Sequence, residues 1–228
     1  MSEPSPTSSP GDAVRELVYY VATSVDGYIA DPTGAFDAFP VEGDHMAVVL
    51  DEYADALPGH VLRALGIDPP GTRFDTVVMG WNTLAPALAA GIDSPYPHLR
   101  QIVASRQDRD VAPAVTLTHD PVATVRALKK ETGRSIWLCG GGELAASLLP
   151  EIDRLVIKRN PLVFGAGIPL FGRAPYAPRP FTPVSARAFR SDVVIEEYVA
   201  ARAGGNAGGD PRQSSPSPAP TLTACASR

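Results

Sequence analysis

The sequence predicts an α/β domain with a mainly parallel sheet and a C-terminal antiparallel hairpin. Short apolar runs alternate along the chain with segments of helical spacing, and the last two strand-like runs follow one another directly. Such alternation is typical of a parallel sheet covered by helices, and the final pair is typical of a hairpin. Three glycines at residues 140–142 connect one strand to a helix, and ligands of such sheets bind at strand ends of this kind.

Apolar runs predict the strands, and runs with helical spacing predict the helices. In order, the predicted strands are 17–23, 76–79, 101–104, 115–117, 135–139, 154–157, 181–190 and 193–199. The predicted helices are 44–57, 82–90, 121–130 and 143–149. The connection at 58–73 bears Gly and Pro and leaves room for one short helical turn.

Local signals mark several element ends. Asp44 is a candidate N-cap of the first helix. Pro121 stands in the first turn of the third helix and Gly133 follows its end, which is the usual placement of these two residues. The final hairpin is expected to turn near Ser191 and Asp192.

Composition places the chain among ordinary globular proteins. Its 228 residues suffice for one domain with its own core, and a hydrophobic fraction of 44% is usual for that class. A net charge of −5 disfavours nucleic acid, and no apolar run approaches the ~20 residues of a membrane span. Cys139 and Cys225 predict no structural disulfide, and without a secretory signal we expect a cytoplasmic protein. Four histidines without ligand spacing predict no metal site.

The domain is expected to span residues 15–202, between two tails. Residues 1–14 are rich in Ser and Pro, and residues 203–228 are rich in Ala, Gly, Ser and Pro. Because neither tail has enough apolar surface to offset the entropy of ordering it, both are predicted to be disordered.

Four strand ends carry the residues that indicate a ligand. They are residues 21–30, 77–83, 102–106 and 140–144. Glycines remove the side chains that keep backbone N–H groups away from a bulky ligand, and the helix start after residue 142 suits a phosphate. Taken alone, the glycine run is also consistent with a tight strand-to-helix packing turn.

In this order and spacing, the four segments resemble the dihydrofolate reductase fold family, and most closely its bacterial branch that includes the reductase domain of riboflavin biosynthesis. Residues 159–171 are similar to the same branch. The resemblance implies a three-layer α/β/α dihydrofolate reductase-like fold and an NADPH-dependent reductase acting on a pterin- or aminopyrimidine-like small molecule. The alternative is a nucleotide-binding module of the same fold without efficient turnover.

The resemblance implies that the four segments hold NADPH. Ala22 and Ile29 would pack against the nicotinamide, and Gly80 would let the cofactor approach the backbone closely. Thr83 would donate its hydroxyl to the pyrophosphate. The other side of the pyrophosphate would meet the glycine run and the first N–H groups of the next helix: Gly140, Gly141, Gly142, Glu143 and Leu144.

At the adenosine end the resemblance points to Ser105 and Arg106. Trp81 stands where the family often has an arginine for the 2′-phosphate, so Arg106 would carry the selectivity for NADPH. Trp81 itself would either stack on the adenine or cap a hydrophobic edge. Ser105 and Arg106 are otherwise a solvated strand end.

Substrate chemistry is the least determined part. Lys158 ends an apolar strand at a position that resembles the family's substrate pocket, where an ammonium would be catalytic, although a lysine extending into water fits the pattern as well. Tyr20 either reaches the same pocket or belongs to the core. Dihydrofolate reductases carry a carboxylate early in the first long helix; Asp44 and Asp51 are the candidates for that place, and neither is assigned. The terminal hairpin is compatible with pairing to a second subunit as a homodimer.

The same branch offers one argument against a phosphorylated substrate. Its riboflavin-pathway enzymes have a lysine in the first strand, near residues 20–22, and this chain has none there.

Overall fold

The computed structural model describes residues 15–201. The tails predicted at 1–14 and 203–228 lie outside the described residues. The domain limits of 15–202 therefore stay a prediction.

Strands and helices alternate along the described chain. The strands are β1 (Leu17–Thr23), β2 (Tyr28–Ala30), β3 (Phe74–Gly80), β4 (Arg100–Ala104), β5 (Val115–Thr118), β6 (Ser135–Gly140), β7 (Arg154–Arg159), β8 (Ile168–Pro169), β9 (Phe181–Ala188) and β10 (Val194–Ala200). The helices are α1 (His45–Glu52), α2 (Gly59–Leu65), α3 (Trp81–Ala89), α4 (Pro121–Leu128) and α5 (Gly142–Leu148). Short 3-10 turns follow α1 and α5.

The large sheet has eight strands in the order β5-β4-β3-β6-β1-β7-β10-β9. From β5 to β7 neighbouring strands are parallel, whereas β10 runs antiparallel to both β7 and β9. β2 and β8 form a separate antiparallel pair. The predicted mainly parallel sheet with a C-terminal hairpin is confirmed.

Helices cover both faces of the sheet, and most side chains of the central strands β3, β6 and β7 are buried on whichever face they lie. On one face Tyr19 and Leu138 share a core cluster with Leu148 of α5. On the other face Val18 shares a cluster with Leu84 of α3. Two helical layers therefore enclose the sheet, in the three-layer α/β/α arrangement that the resemblance implied.

The first helix is shorter than predicted. α1 ends at Glu52, and a 3-10 turn, Ala54–Ala56, follows it. Tyr53, between them, leaves the helical conformation at φ −128° and is fully buried. Its ring stacks on Tyr20 and its hydroxyl donates to Glu197. These tertiary contacts override the helical spacing of the sequence.

Asp44 stands at the N-cap position of α1, but its side chain caps no N–H of that helix. Its carboxylate instead accepts the backbone N–H groups of Arg190, at 2.9 Å, and Ser191, at 3.0 Å. The predicted N-cap role was therefore wrong, because the β9–β10 turn offers two donors that local sequence does not reveal. The expected turn itself is present, with Asp192 at φ 59°.

One short helical turn was expected in the 58–73 connection, and α2 lies there. It ends at Leu65 and is followed by Gly66, whose left-handed conformation (φ 66°) is usual after a helix C-terminus. The short strands β2 and β8 were not predicted. β2 and β8 have only three and two residues, too few for a periodic pattern to identify them. Their pairing folds the segment after β7 onto the segment after β1.

Within residues 15–201, no helix is long and apolar enough to cross a membrane. In the same range, no group of His, Cys, Asp and Glu is arranged to hold a metal ion.

Candidate active site

The central strands separate at their carboxyl ends. β1 pairs with β6 only from Leu17 to Tyr19, yet it pairs with β7 as far as Thr23. The carbonyl of Tyr20 lies beyond the last backbone pair of β1 and β6. It accepts a hydrogen bond from the indole Nε1 of Trp137 at 3.1 Å instead. The sheet is therefore open between β1 and β6 at the edge where ligands of α/β sheets bind. We call this opening the β1–β6 gap.

Two glycines beside the gap have no packing reason to be glycine. A Cβ built on Gly80 would lie 3.7 Å from the nearest atoms, in Gly140 and Gly141, and one built on Gly141 would lie 3.8 Å from Thr83 Oγ1. Both residues have ordinary negative φ angles, −77° and −89°. Because an alanine would fit the protein at both places, the bare backbone is available to a ligand.

The other two glycines of the run differ. Gly140 has φ +140°, a conformation that side chains rarely adopt, and its peptide bond to Gly141 is cis. A Cβ on Gly142 would lie 2.2 Å from the carbonyl oxygen of Pro169 and 2.9 Å from the nitrogen of Gly172. Packing within the chain accounts for glycine at position 142, as the packing-turn alternative proposed, and its cofactor role stays a prediction. Glu143 and Leu144 follow in the first turn of α5.

The segment after β7 is fixed against this side of the sheet. Asp26 accepts the backbone N–H groups of Phe164, at 3.1 Å, and Gly165, at 2.7 Å. The Ser24 hydroxyl also donates to the Asp26 carboxylate. This bond is the main cause that lowers the pKa of Asp26 to about 2, and the two backbone N–H groups contribute to the same shift. Tyr19 donates its hydroxyl to the carbonyl of Leu170 at 2.9 Å. The segment thus packs beside the start of α5.

At the predicted adenosine end, the structure adds a cation that the sequence analysis missed. The guanidinium of Arg109 lies over the ring of Trp81, 4.8 Å from its centroid. Arg106 is exposed in the same loop, and the Ser105 hydroxyl donates to the carbonyl of Gln107 at 2.7 Å. Arg109 was detectable only as a second arginine three residues after Arg106.

The predicted substrate residues lie on one face of the sheet. Lys158 of β7 is the register partner of Ala22 of β1, and Tyr20 precedes Ala22 by two residues on the same face. Lys158 is half-buried, and burial lowers the pKa of its ammonium. Tyr20 packs against the core through its stack on Tyr53, with ring centroids 4.4 Å apart, and burial raises the pKa of its hydroxyl. Ile29 lies in β2.

His45, the first residue of α1, was also missed. Its side chain is fully buried, Nδ1 lies 2.9 Å from Ser191 Oγ, and Nε2 has no hydrogen-bond partner. The sequence did hold a signal, because residue 45 is in helical line with Val49 and Tyr53 on the buried side of the helix. A histidine at such a position needs an explanation beyond packing.

A second concave region lies at the opposite, amino-terminal edge of the sheet. It is a cavity of about 320 Å³, and its lining residues are Arg15, Glu16, Thr72, Arg73, Gly133, Arg134 and Ser135. Arg15 is already paired with Asp75 and Arg73 with Glu197. Since these charges neutralise one another and the edge is the wrong one for an α/β ligand site, we place the active site at the β1–β6 gap.

Fold and site together define a dihydrofolate reductase-like α/β protein. The model of the RibD C-terminal domain family matches residues 72–195, more than half of the chain, so the chain belongs to that family. It is 30% identical over 164 residues to the uncharacterized protein YwjB of Bacillus subtilis (strain 168), which covers 69% of this chain and 83% of YwjB. The resemblance found in the sequence is confirmed.

Solved structures show the same fold. A protein of Shewanella sp. PV-4 assigned to riboflavin biosynthesis matches with a TM-score of 0.61 and 24% identity, over 82% of this chain and 99% of that one. Dihydrofolate reductase from Enterococcus faecalis, complexed with NADP(H), matches with a TM-score of 0.56 and 16% identity, over 82% of this chain and 97% of that one.

Proposed function

We propose that the protein is an NADPH-dependent reductase that transfers hydride to a pterin- or aminopyrimidine-like small molecule. The observation that carries the proposal is the pair Gly80 and Gly141, which leave backbone open to a ligand where the protein alone would accept a side chain. Membership of the RibD C-terminal domain family supports a reductase, and the NADP(H) complex of the Enterococcus faecalis enzyme supports a nicotinamide cofactor.

The residues at the β1–β6 gap suit that cofactor. The backbone at Gly80 and Gly141, with the nearby Thr83 hydroxyl, would hold a pyrophosphate. The adenosine and its 2′-phosphate would be held by Trp81 and by two arginines of the loop after β4, Arg106 and Arg109. NADPH, when bound, supplies the hydride, and the protein supplies orientation and charge.

Lys158 would serve the substrate. Lys158 is the register partner of Ala22, on the face of β1 predicted to meet the nicotinamide. Hydride addition to C=N or C=O leaves electron density on the heteroatom, which a nearby ammonium stabilises, and more so where water is scarce.

One observation favours the alternative, a nucleotide-binding module without efficient turnover. Asp44 is engaged by the hairpin turn and Asp51 is exposed, so neither acid that the sequence left open supplies a proton at the gap. A homodimer and a cytoplasmic location stay predictions.

A steady-state assay separates the two functions. NADPH consumption is followed with a panel of pterins and pyrimidines, and NADPH binding is measured in parallel. Consumption with one of these compounds supports the reductase. Saturable binding without consumption supports the module, and absence of binding contradicts both.

A further inference from the structure

Acidic side chains on α1 and β10, the elements that flank Lys158, are engaged by other groups or exposed. Asp44 accepts two N–H groups of the hairpin turn, and Asp51 is exposed on α1. Glu196 of β10 pairs with Arg159 at 2.6 Å, on the face opposite to Lys158. Within residues 15–201 no carboxylate forms an ion pair with Lys158, whose lowered pKa has burial as its only cause.

Lys158 is therefore an uncompensated cation in an apolar setting. Its register partners are Ala22 on one side and the fully buried Ile195 on the other. A half-buried charge without a partner costs free energy, and a ligand of opposite polarity offsets that cost.

His45 is held at the end of β7 that carries this ammonium, because its partner Ser191 lies in the β9–β10 turn, four residues before Ile195, the register partner of Lys158. Burial and the charge of Lys158 lower the pKa of the imidazole, while Asp44 opposes the shift, so His45 is neutral at pH 7. Its Nδ1 is held by Ser191 Oγ at 2.9 Å, and the edge of its ring faces Phe189 with centroids 6.3 Å apart. The pair therefore holds one positive charge, which resides on Lys158.

We propose that Lys158 and His45 form the polar wall of the substrate site, and that this wall selects a flat ring whose carbonyl or anionic oxygen faces the ammonium. Lys158 donates to that oxygen. His45 is a positioning residue that stays uncharged while clamped by Ser191, and so leaves Lys158 as the single cation. This polarity is opposite to that of a pocket that binds a protonated aminopyrimidine through a carboxylate. The inference rests on the proposed function, because the ring must lie beside the cofactor.

Two pyrimidine rings of opposite charge test the polarity. The full chain is saturated with NADP⁺, and the affinities of barbiturate, an anionic ring, and of protonated 2,4-diaminopyrimidine are measured by calorimetry. We expect barbiturate to bind more tightly, and Lys158→Met to weaken it at least about tenfold, as expected for a lost hydrogen bond to a charged group. The control is Arg159→Met, one position along β7, which should change barbiturate affinity little.

The role of His45 is tested by measuring the pKa of its imidazole, without substituting His45 itself. NMR titration of the imidazole should give a higher pKa in Lys158→Met than in the wild type, and a higher pKa when barbiturate is bound. A histidine beyond the electrostatic range of Lys158 and of the bound ring would show neither change.

The outcomes are distinct. Tighter binding of diaminopyrimidine, barbiturate affinity unchanged by Lys158→Met, or an unmoved His45 titration would each overturn the inference while leaving the cofactor proposal standing. Failure of the wild type to bind NADP⁺ would overturn the proposed function, and the inference with it.

Discussion

At the scale of residues, the role proposed for Lys158 opposes the effect of this residue on stability. Its ammonium is half-buried between Ala22 and Ile195, and burial lowers its pKa. The folded state therefore binds this proton less well than the unfolded state does. The charged form costs stability in full below the folded-state pKa, and this cost is lost as the pH rises from that pKa to the ordinary lysine pKa of about 10.5 in the unfolded state.

Lys158→Met should accordingly stabilise the fold at pH 7, by about 0.5–2 kcal/mol, the usual range for a single stabilising replacement. The gain should shrink at alkaline pH, where the wild-type lysine loses its proton. Urea unfolding at pH 7 and at alkaline pH checks this. A variant less stable than the wild type at pH 7 would mean that Lys158 serves the fold.

Arg106 and Arg109 are the two candidates for the 2′-phosphate. A charge-assisted bond to phosphate contributes about 1.5–3 kcal/mol, so Arg106→Ala should weaken NADPH about tenfold or more and leave NADH nearly unchanged. Arg109→Ala is the matched variant, since Arg109 stacks on Trp81 in the same loop. Fluorescence titration with both cofactors measures the selectivity. If only Arg109→Ala removes it, the predicted role of Arg106 is wrong.

Single residues show what the sequence can and cannot predict at this scale. Gly141 and Gly142 are neighbouring glycines of one motif. A side chain would have room at position 141, whereas position 142 is packed against Pro169. The motif predicts a close approach of a ligand to the backbone, and the open space at Gly141 is compatible with it. Glycine is required at position 142 because of Pro169, which lies 27 positions further along the chain. A local sequence pattern does not contain that information.

At the scale of elements, the start of α1 is fastened to the turn between β9 and β10. The Asp44 carboxylate accepts two N–H groups of the turn, and His45 bonds to Ser191. The N–H group of Arg190 is the main cause that lowers the pKa of Asp44 to about 2. The contact therefore stabilises the fold above the unfolded-state pKa of about 4 and is lost as the pH falls through about 2.

Asp44→Asn should destabilise the protein at neutral pH, and the difference from the wild type should shrink as the pH falls from about 4 towards 2. Denaturant unfolding across this range measures the effect. Asp51→Asn, an exposed change on the same helix, is the control and should leave stability unchanged. A pH-independent loss in Asp44→Asn would show that the carboxylate charge is not what holds the turn.

The sequence predicted an element best where tertiary packing follows the local pattern. β1 has the predicted limits, Leu17–Thr23, whereas the helix predicted at 44–57 breaks at Tyr53. That break arises from a stack and a hydrogen bond to residues far along the chain. Helical spacing indicates which side chains are buried. It carries no information about a contact that requires the backbone to leave the helix.

At the scale of the whole molecule, the site exists because two parallel strands separate. The gap between β1 and β6, the glycines after β3 and β6, and Lys158 of β7 come together only through the strand order β3-β6-β1-β7. The sequence predicted the carboxyl ends of strands as the site. It could not give the strand order or the place of separation, because both depend on pairing between distant segments.

The predicted tails imply that residues 15–202 fold alone. A chain limited to these residues should melt within experimental error of the full chain, since the tail composition offers little apolar surface to bury. Differential scanning calorimetry of both chains checks this. A melting temperature lower by several degrees would show that a tail packs on the domain.

The central claim, that NADPH binds across Gly80 and Gly141, is tested most directly by titrating NADPH into the wild type and Gly141→Asp. The new side chain fits, since its Cβ would lie 3.8 Å from the nearest atom, and Asp is a favourable residue at this N-cap position. Its charge would nevertheless repel a pyrophosphate. Gly141→Ala separates steric exclusion from charge.

We predict that Gly141→Asp melts no lower than the wild type and loses at least about 2 kcal/mol of NADPH binding, with a smaller loss in Gly141→Ala. Wild-type NADPH affinity in a folded Gly141→Asp protein would contradict the cofactor site and the reductase function built on it.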